Sequence, residues 1–331
     1  MKKILLIRFS SIGDIVLTTP VVRAIKQQTK ATLHCLTKKS YEGLYKNNPY
    51  VDQVYSFQDD EKEVISLLKK ESYDFVVDLQ KNIRSWNVRK ALKAPSATFP
   101  KKNLEKWILV NLKINLLPPV HIVDRYFEAV KPLQVHNDGK GLDYFIPAIN
   151  EIAPSSIDPV LKNGYIAFVL GGQHQTKIFP PEKVAEVINR LEMPVVLLGG
   201  KEDQARGKKV VELTPDKKVI DLCGRVGLNT SASMVKQCRV LVTNDTGLMH
   251  IGAAFKKPIV SIWGNTVPAF GMYPYLPSGK GKYFIAEVKD LRCRPCSKLG
   301  KKRCPKKHFN CMMKQDIPTI VNKIKTFFEE K

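Results

Sequence analysis

Short apolar runs alternate with amphipathic stretches along this chain, and the alternation occurs twice. Residues 3–9 have the character of a buried strand. Ser10-Ser11-Ile12-Gly13-Asp14 follows as a small-residue loop, and residues 15–28 carry Ile15, Leu17, Val21, Val22 and Ile25 in an approximate helical stripe. Strand, tight loop and helix in that order open a doubly wound nucleotide-binding half. Further strands are predicted at 32–36, 51–57 and 75–79, and helices at 61–70, 83–92, 104–112 and 121–130. Residues 147–163 hold Pro147, Pro154, Ser155, Ser156 and Pro159 and read as a linker. The pattern then restarts, with strands predicted at 165–170, 194–198, 219–222, 240–243 and 258–263. Helices are predicted at 181–191 and from 249, and an amphipathic helix at 317–328. The fold class that follows is α/β, with two Rossmann-like domains, each on its own parallel sheet. The domains are drawn at 1–155 and 160–315, with a C-terminal helix at 316–331.

A length of 331 residues suits two domains of roughly 150 residues each. No apolar run approaches the ~20 residues needed to span a bilayer. Arg8 interrupts the first apolar run, which therefore reads as a strand and not as a signal peptide. The chain holds 54 basic and 31 acidic residues, a net charge of +23, which favours polyanionic partners: phosphorylated substrates, an anionic membrane surface or nucleic acid. Seven cysteines, an odd number, predict a reducing compartment.

The segment with most chemical content is Val240 to Ala254. A β-branched strand ends at Asn244-Asp245, Thr246-Gly247 follow, and a small-residue helix begins. The first N–H groups of such a helix have no intrahelical partner and its dipole is positive there, which makes a seat for a diphosphate. Gly247 leaves room for close backbone approach. Each residue also has a plainer reading: Asp245 or Thr246 as helix cap, His250 as a core histidine.

Asn-Asp-Thr-Gly-Leu-Met-His-Ile-Gly-Ala-Ala, followed by Pro258-Ile259-Val260-Ser261-Ile262-Trp263-Gly264, resembles the signature of glycosyltransferase family 9, which contains the lipopolysaccharide heptosyltransferases. The resemblance implies a GT-B fold, two Rossmann-like domains facing across a cleft, with the acceptor on the N-terminal one and the nucleotide sugar on the C-terminal one. It implies that Asp245, Thr246, Gly247, Leu248 and His250 wall the donor diphosphate and sugar. Ile7-Arg8-Phe9-Ser10-Ser11-Ile12-Gly13-Asp14 resembles the family's opening. There Asp14 would be the general base, with Ser10, Ser11 and Gly13 beside the acceptor. Read from the residues alone, Asp14 is a helix cap sooner than a base, since a helix N-terminus that stabilises its anion makes it a weaker base.

Gly171-Gly172-Gln173-His174-Gln175-Thr176-Lys177-Ile178-Phe179-Pro180 resembles a family stretch whose lysine meets the nucleotide phosphates. Lys177 is the match, and Phe179 stands where the family usually has Trp. Glu202 matches a ribose-binding glutamate, with Asp203 as the rival register, and Val226 falls in a loop laid against the adenine. For the acceptor, Gln80 and Arg84 lie in an Asp-x-Gln segment, and His121 and Arg125 in a His-x-x-x-Arg segment; solvated helix faces are the bland alternative. Arginine suits an anionic glycolipid because it grips phosphate or carboxylate through two parallel bonds.

No Asp-x-Asp pair is present, so the leaving diphosphate is expected to rely on amides, Lys177 and His250 without an obligatory metal. Cys293, Cys296, Cys304 and Cys311 resemble a cysteine tail found in several family members. A structural zinc there competes with free thiols. Residues 291–308 also hold eight Lys and Arg and no acid.

The implied activity is inverting transfer of heptose from ADP-heptose to an inner-core lipopolysaccharide acceptor at the cytoplasmic face of the inner membrane. The alternatives are another nucleotide sugar and glycan acceptor, or a basic nucleic-acid-binding protein, for which stacking aromatics in the tail are few.

Overall fold

The computed structural model describes residues 2–277 and 281–330. The chain divides into two compact units. The first runs to Lys102 and adds Val120–Phe145; the second comprises Asn103–Pro119 and Ile146 onward.

The first unit holds five parallel strands: β1 (Lys3–Ile7), β2 (Thr32–Lys38), β3 (Gln53–Phe57), β4 (Phe75–Asp78) and β5 (Ser96–Thr98). Their order is β3-β2-β1-β4-β5. The central strand is apolar on both faces, and Leu6 lies between Cys35 on one side and Val77 on the other. Such a strand reads as a continuous apolar run because helices cover both faces of the sheet. The second unit holds six parallel strands: β6 (Ile166–Val169), β7 (Val195–Leu198), β8 (Val219–Asp221), β9 (Val240–Asn244), β10 (Ile259–Trp263) and β11 (Tyr283–Glu287). Their order is β11-β10-β9-β6-β7-β8. The C-terminal helix Ile317–Glu329 belongs to this unit's core, where Ile317, Ile320, Val321, Ile324 and Phe327 pack at helical spacing.

Several elements differ from the sequence reading. The helix predicted over 15–28 is two helices, Ile12–Val16 and Thr19–Thr29. Thr18 and Thr19 each donate a hydroxyl back to the carbonyls of Ile15 and Val16 (2.7 Å), and Pro20 sits in the first turn of the second helix. Proline is tolerated there because that N–H has no helical partner to lose. Residues 121–130 form a helix only over Ile122–Phe127 and then tighten to a 3-10 helix, Glu128–Leu133, around Pro132. β5 and β11 were not anticipated. Both lie at sheet edges and are half-buried for most of their length, so neither shows an unbroken apolar run. Helices Gln204–Glu212 and Leu228–Gln237 were also missed, being poor in apolar side chains. The proline-rich stretch before β6 is a set of short 3-10 turns held to the second unit, with Ile152 N–H donating to Ser233 Oγ at 3.1 Å.

Candidate functional site

In a parallel sheet the crevice for a ligand opens at the C-terminal strand ends where the strand order reverses. In the second unit that point lies between β6 and β9, because β7 and β8 extend from β6 one way and β9, β10 and β11 the other. The loops leaving these two strands carry Gly171 to Phe179 and Asn244 to Leu248. Asn244 is buried and fastens the loops together. Its Nδ2 donates to the carbonyls of Val169, Leu170 and Gly171 at 3.2–3.4 Å, and its Oδ1 accepts from Phe179 N–H at 3.2 Å. Phe179 itself is a core side chain.

On this framework Lys177 Nζ reaches Asp245 Oδ2 at 2.6 Å, and Thr266, just past β10, donates to the same oxygen at 3.0 Å. Asp245, Thr246, Gly247 and Leu248 are all half-buried, so the loop that precedes helix Gly247–Ala254 stays accessible. His250 is buried on that helix, one turn further in. The arrangement is an ammonium and a run of helix-start amides at one strand-end loop, which is the chemistry a diphosphate requires.

Glu202 and Asp203 are distinguished by their surroundings. Glu202 is exposed at the end of β7. Asp203 is buried, accepts from Gly200 N–H at 2.9 Å and pairs with Arg206. Burial pushes its carboxyl up from the usual range, and the Gly200 N–H and Arg206 oppose that only in part. A side chain on Gly199 would meet Asp203 Cβ at 2.7 Å, so that glycine is required for the close approach. Asp203 is thus spent on the turn, and Glu202 is the carboxylate that remains presented. Val226 is half-buried in the loop before helix Leu228–Gln237.

The cysteine-rich segment packs directly on the site loops. Thr176 and Lys301 exchange backbone and hydroxyl hydrogen bonds at 2.8–3.2 Å. Arg294, half-buried, donates to the carbonyls of Gly264 (2.6 Å), Thr266 (2.9 Å) and Val288 (3.2 Å) and pairs with Glu287 at 2.6 Å. A Cβ on Gly264 would lie 2.7 Å from the Thr176 carbonyl oxygen. Between these residues Asn265 is buried, and neither its Oδ1 nor its Nδ2 has a hydrogen-bond partner.

The structural zinc weighed against free thiols at Cys293, Cys296, Cys304 and Cys311 finds no ready cage. Among the described residues no three His, Cys, Asp or Glu side chains are grouped to hold a metal ion. Cys311 lies in the hydrophobic core, where burial pushes its thiol up to about 12, away from the thiolate a metal needs. Cys293 Sγ stands 3.9 Å from His308 Nε2.

In the first unit the strand order reverses between β1 and β4. Arg8, at the end of β1, is buried. Its guanidinium donates to Leu79 O (2.6 Å) and Ser10 O (2.9 Å) and pairs with Asp14 Oδ1 at 2.5 Å. Burial works to lower its pKa, and Asp14 together with Tyr126 and Tyr45 more than offsets that, leaving it raised. Asp14 Oδ2 accepts from Ser11 Oγ at 2.9 Å and from Ser11 N–H at 3.3 Å. Asp14 is therefore the third helical residue of a capping box whose N-cap is Ser11, and not the cap itself as in the plainer reading, and it also forms an ion pair at the strand end. Ser10 and Ser11 lie in the loop before this helix, and Gly13 is buried in its first turn. Gln80 Oε1 accepts from Phe9 N–H at 3.1 Å, so this side chain ties the two strand ends together.

The remaining acceptor candidates are not all brought to this point. Arg84 is exposed and donates to Asp59 O at 3.0 Å, with Glu61 3.7 Å away. His121 is buried, and its Nδ1 accepts from Val123 N–H at 3.2 Å as the cap of helix Ile122–Phe127. Arg125 is buried on that helix. The sequence reading placed Asn244 at the donor loop but gave no role to Arg8, Thr266, Asn265 or Arg294. Only Arg8 had a signal, a lone charge closing an otherwise apolar strand.

A family model described as "Glycosyltransferase family 9 (heptosyltransferase)" matches residues 63–307. The chain is 25% identical over 288 residues to lipopolysaccharide heptosyltransferase 1 of Campylobacter coli, covering 80% of this chain and 84% of that one. A family 9 glycosyl transferase from Veillonella parvula superposes with a TM-score of 0.74 at 19% identity, over 100% of this chain and 98% of the other. The ADP-heptose lipopolysaccharide heptosyltransferase II of E. coli superposes with a TM-score of 0.69 at 18% identity, over 98% of each chain. These likenesses agree with a two-domain GT-B fold.

Proposed function

The chain belongs to glycosyltransferase family 9, and from that premise we propose that it moves heptose from ADP-heptose to an inner-core lipopolysaccharide acceptor with inversion. The observation that carries this reading is the Lys177–Asp245 pair at the β6/β9 reversal, beside the accessible loop Asp245 to Leu248. In the proposed reaction Asp14 takes the proton of the acceptor hydroxyl, replacing its bond to Ser11 Oγ. The oxygen attacks the anomeric carbon on the face opposite the nucleotide. The bond from that carbon to the β-phosphate oxygen breaks, and ADP leaves with the electron pair. Lys177 and the amides after Asp245 take up the charge that develops on the diphosphate. Glu202 holds the ribose hydroxyls, Val226 lies against the adenine, and His250 closes the sugar side.

Ser10, Ser11, Gly13, Gln80 and Arg84 are proposed to line the acceptor, with His121 and Arg125 supporting the loop from beneath. Turnover requires the Asp14 carboxylate to reach a sugar whose diphosphate rests on the second unit. No metal is assigned a step. The name of the E. coli structural relative supports an ADP-linked heptose as donor, and the relative from C. coli supports lipopolysaccharide as acceptor. The excess of basic residues supports work as a peripheral protein on an anionic surface, which the proposal places at the cytoplasmic face of the inner membrane.

The test is incubation of the protein with a panel of nucleotide sugars and core-lipid acceptors, following nucleotide release. Release of ADP from ADP-heptose that depends on acceptor is the expected result. Release that is faster with a different nucleotide sugar would reassign the donor within the family.

A further inference from the structure

Helix Asn103–Leu112 is built inside out. A surface helix of a soluble protein turns its apolar stripe inward and its charges outward. Here the inward side carries Lys106 and Leu109, while Leu104, Trp107 and Leu112 are exposed on the other. The chain continues with Ile114 and Leu116, each more than half exposed. An exposed cluster of this size calls for a partner.

The cysteine-rich segment lies against this cluster within the same unit. Lys113 Nζ donates to Pro295 O at 2.6 Å, and Lys298 Nζ to Asn103 Oδ1 at 3.5 Å. That segment adds exposed Leu299 and a run in which Lys302, Arg303, Lys306 and Lys307 are all exposed. From 291 to 308 there is no acid, and from 101 to 120 only Glu105.

We propose that residues 103–117 and 298–307 together form a docking surface for an anionic lipid bilayer, into which Leu104, Trp107, Leu112, Ile114, Leu116 and Leu299 dip while the basic run meets the headgroups. This deepens the peripheral-surface part of the reading above and does not depend on the sugar transferred. Charge complementarity selects the occupant. A protein partner would pair such a basic run with acids or cover the apolar side with its own, but neither part of this surface supplies the mixed charge that fixes register in protein interfaces. Nucleic acid would use the basic run and leave the leucines and isoleucine idle, since bases stack on aromatic rings. A bilayer uses both. Tryptophan sits at the headgroup level, leucine and isoleucine enter the acyl boundary, and lysine stems reach back to the phosphates. The helix is too short to span, and no described helix is long and apolar enough to cross a membrane, so the element lies in the interface plane.

The experiment is flotation of the full chain with phosphatidylcholine vesicles, with and without phosphatidylglycerol. Two variants accompany it: Trp107→Ser with Leu112→Ser and Leu116→Ser, and Lys302→Gln with Arg303→Gln, Lys306→Gln and Lys307→Gln. All of these residues are exposed, and ADP protection against thermal unfolding reports separately that the donor site is intact. The chain is expected to float only with the anionic vesicles and to be released by salt. The apolar variant should weaken binding on the order of a hundredfold, and the charge variant by roughly several hundredfold, at about fivefold for each of the four basic residues removed. Absence of ADP protection in the wild-type chain, with flotation retained, would overturn the transfer reading and leave the docking surface standing. Equal flotation of wild type and the apolar variant would overturn the docking surface. So would absence of flotation, with or without binding to single-stranded RNA; RNA binding would point to nucleic acid instead.

Discussion

The two units share a plan, a parallel sheet whose order reverses beside its first strand, yet they fill the reversal point differently. In the first unit the point is closed by its own side chains: Arg8 is buried across the ends of β1 and β4, Gln80 is tied to Phe9, and both oxygens of Asp14 are engaged. In the second the groups are assembled but left accessible. Lys177 and Asp245 hold each other at a half-buried loop, Glu202 is presented, and Asn265 is buried with its amide unsatisfied. One junction is a network closed by its own partners, and the other leaves an ammonium and helix-start amides at an accessible loop. The same topology thus presents two different surfaces, and the difference lies in which polar atoms the fold has already consumed.

The contrast is broken most severely at Asp14. Asp14→Ala is expected to lower turnover by roughly a hundredfold to ten-thousandfold, the usual contribution of general base catalysis. ADP binding, followed by calorimetry, should stay near normal, because Asp14 belongs to the other unit. Near-normal turnover would remove the base role and leave only the capping box. Lys177→Met attacks the opposite junction. It should cost about a hundredfold to a thousandfold in turnover, as for other groups that stabilise a leaving charge, and should weaken ADP binding as well. Lys177→Arg should recover part of the binding. A variant with unaltered ADP affinity would place the diphosphate elsewhere.

Gly264→Ala probes the closeness of the packing at the second junction. The added methyl would press on the Thr176 carbonyl and on Met312 Cε, 2.6 Å away, so unfolding in urea should show a loss of about 1–3 kcal/mol. A neutral result would mean that the tail and the Thr176 loop give way easily.

The smallest effect is a pair of opposite pH dependences. In the first unit the hydrogen bond from Arg23 holds the Asp138 carboxyl below the usual range, so its stabilisation is complete above the ordinary carboxylate value and is lost as pH falls through the folded-state value. In the second unit burial raises the Asp203 carboxyl, so its favourable contribution is complete below the ordinary value and is lost as pH rises through the folded-state value. The stability gap between wild type and Asp138→Asn should therefore shrink on acidification, and the gap to Asp203→Asn should grow. Parallel trends in thermal melts across that range would contradict the assignment.

Much of the fold was legible because parallel strands and their helices write themselves in local pattern. The helix Ile83–Leu92 was bounded correctly, with Asn82 capping it through Ser85 N–H at 2.9 Å, and the strand ending at Asn244 was placed to within a residue. The failures have physical causes. Pro20 after two threonines turned one expected helix into two. Edge strands lack a second buried face, so β5 and β11 carry no run to read. At the candidate site, Asp245 and Lys177 stood out through their neighbours in sequence. Thr266 and Arg294 did not, since each acts through residues distant along the chain, and Asn265 did not, since its burial without side-chain partners is set by packing.

The sequence by itself determined the two α/β halves, the strand-to-helix junctions at Asp14 and Asp245, and the basic, acid-free tail, because periodicity, chain turns and charge are properties of neighbouring residues. Only the tertiary structure decided that Glu202 is presented while Asp203 is spent on a turn, that Gln80 ties strands, and that His121 caps a helix. It alone decided that residues 103–119 group with the second unit and set their apolar side outward. The reason is common to all of these: a polar atom can satisfy one set of partners at a time, and which partners reach it first is settled by packing between segments that the chain order keeps apart.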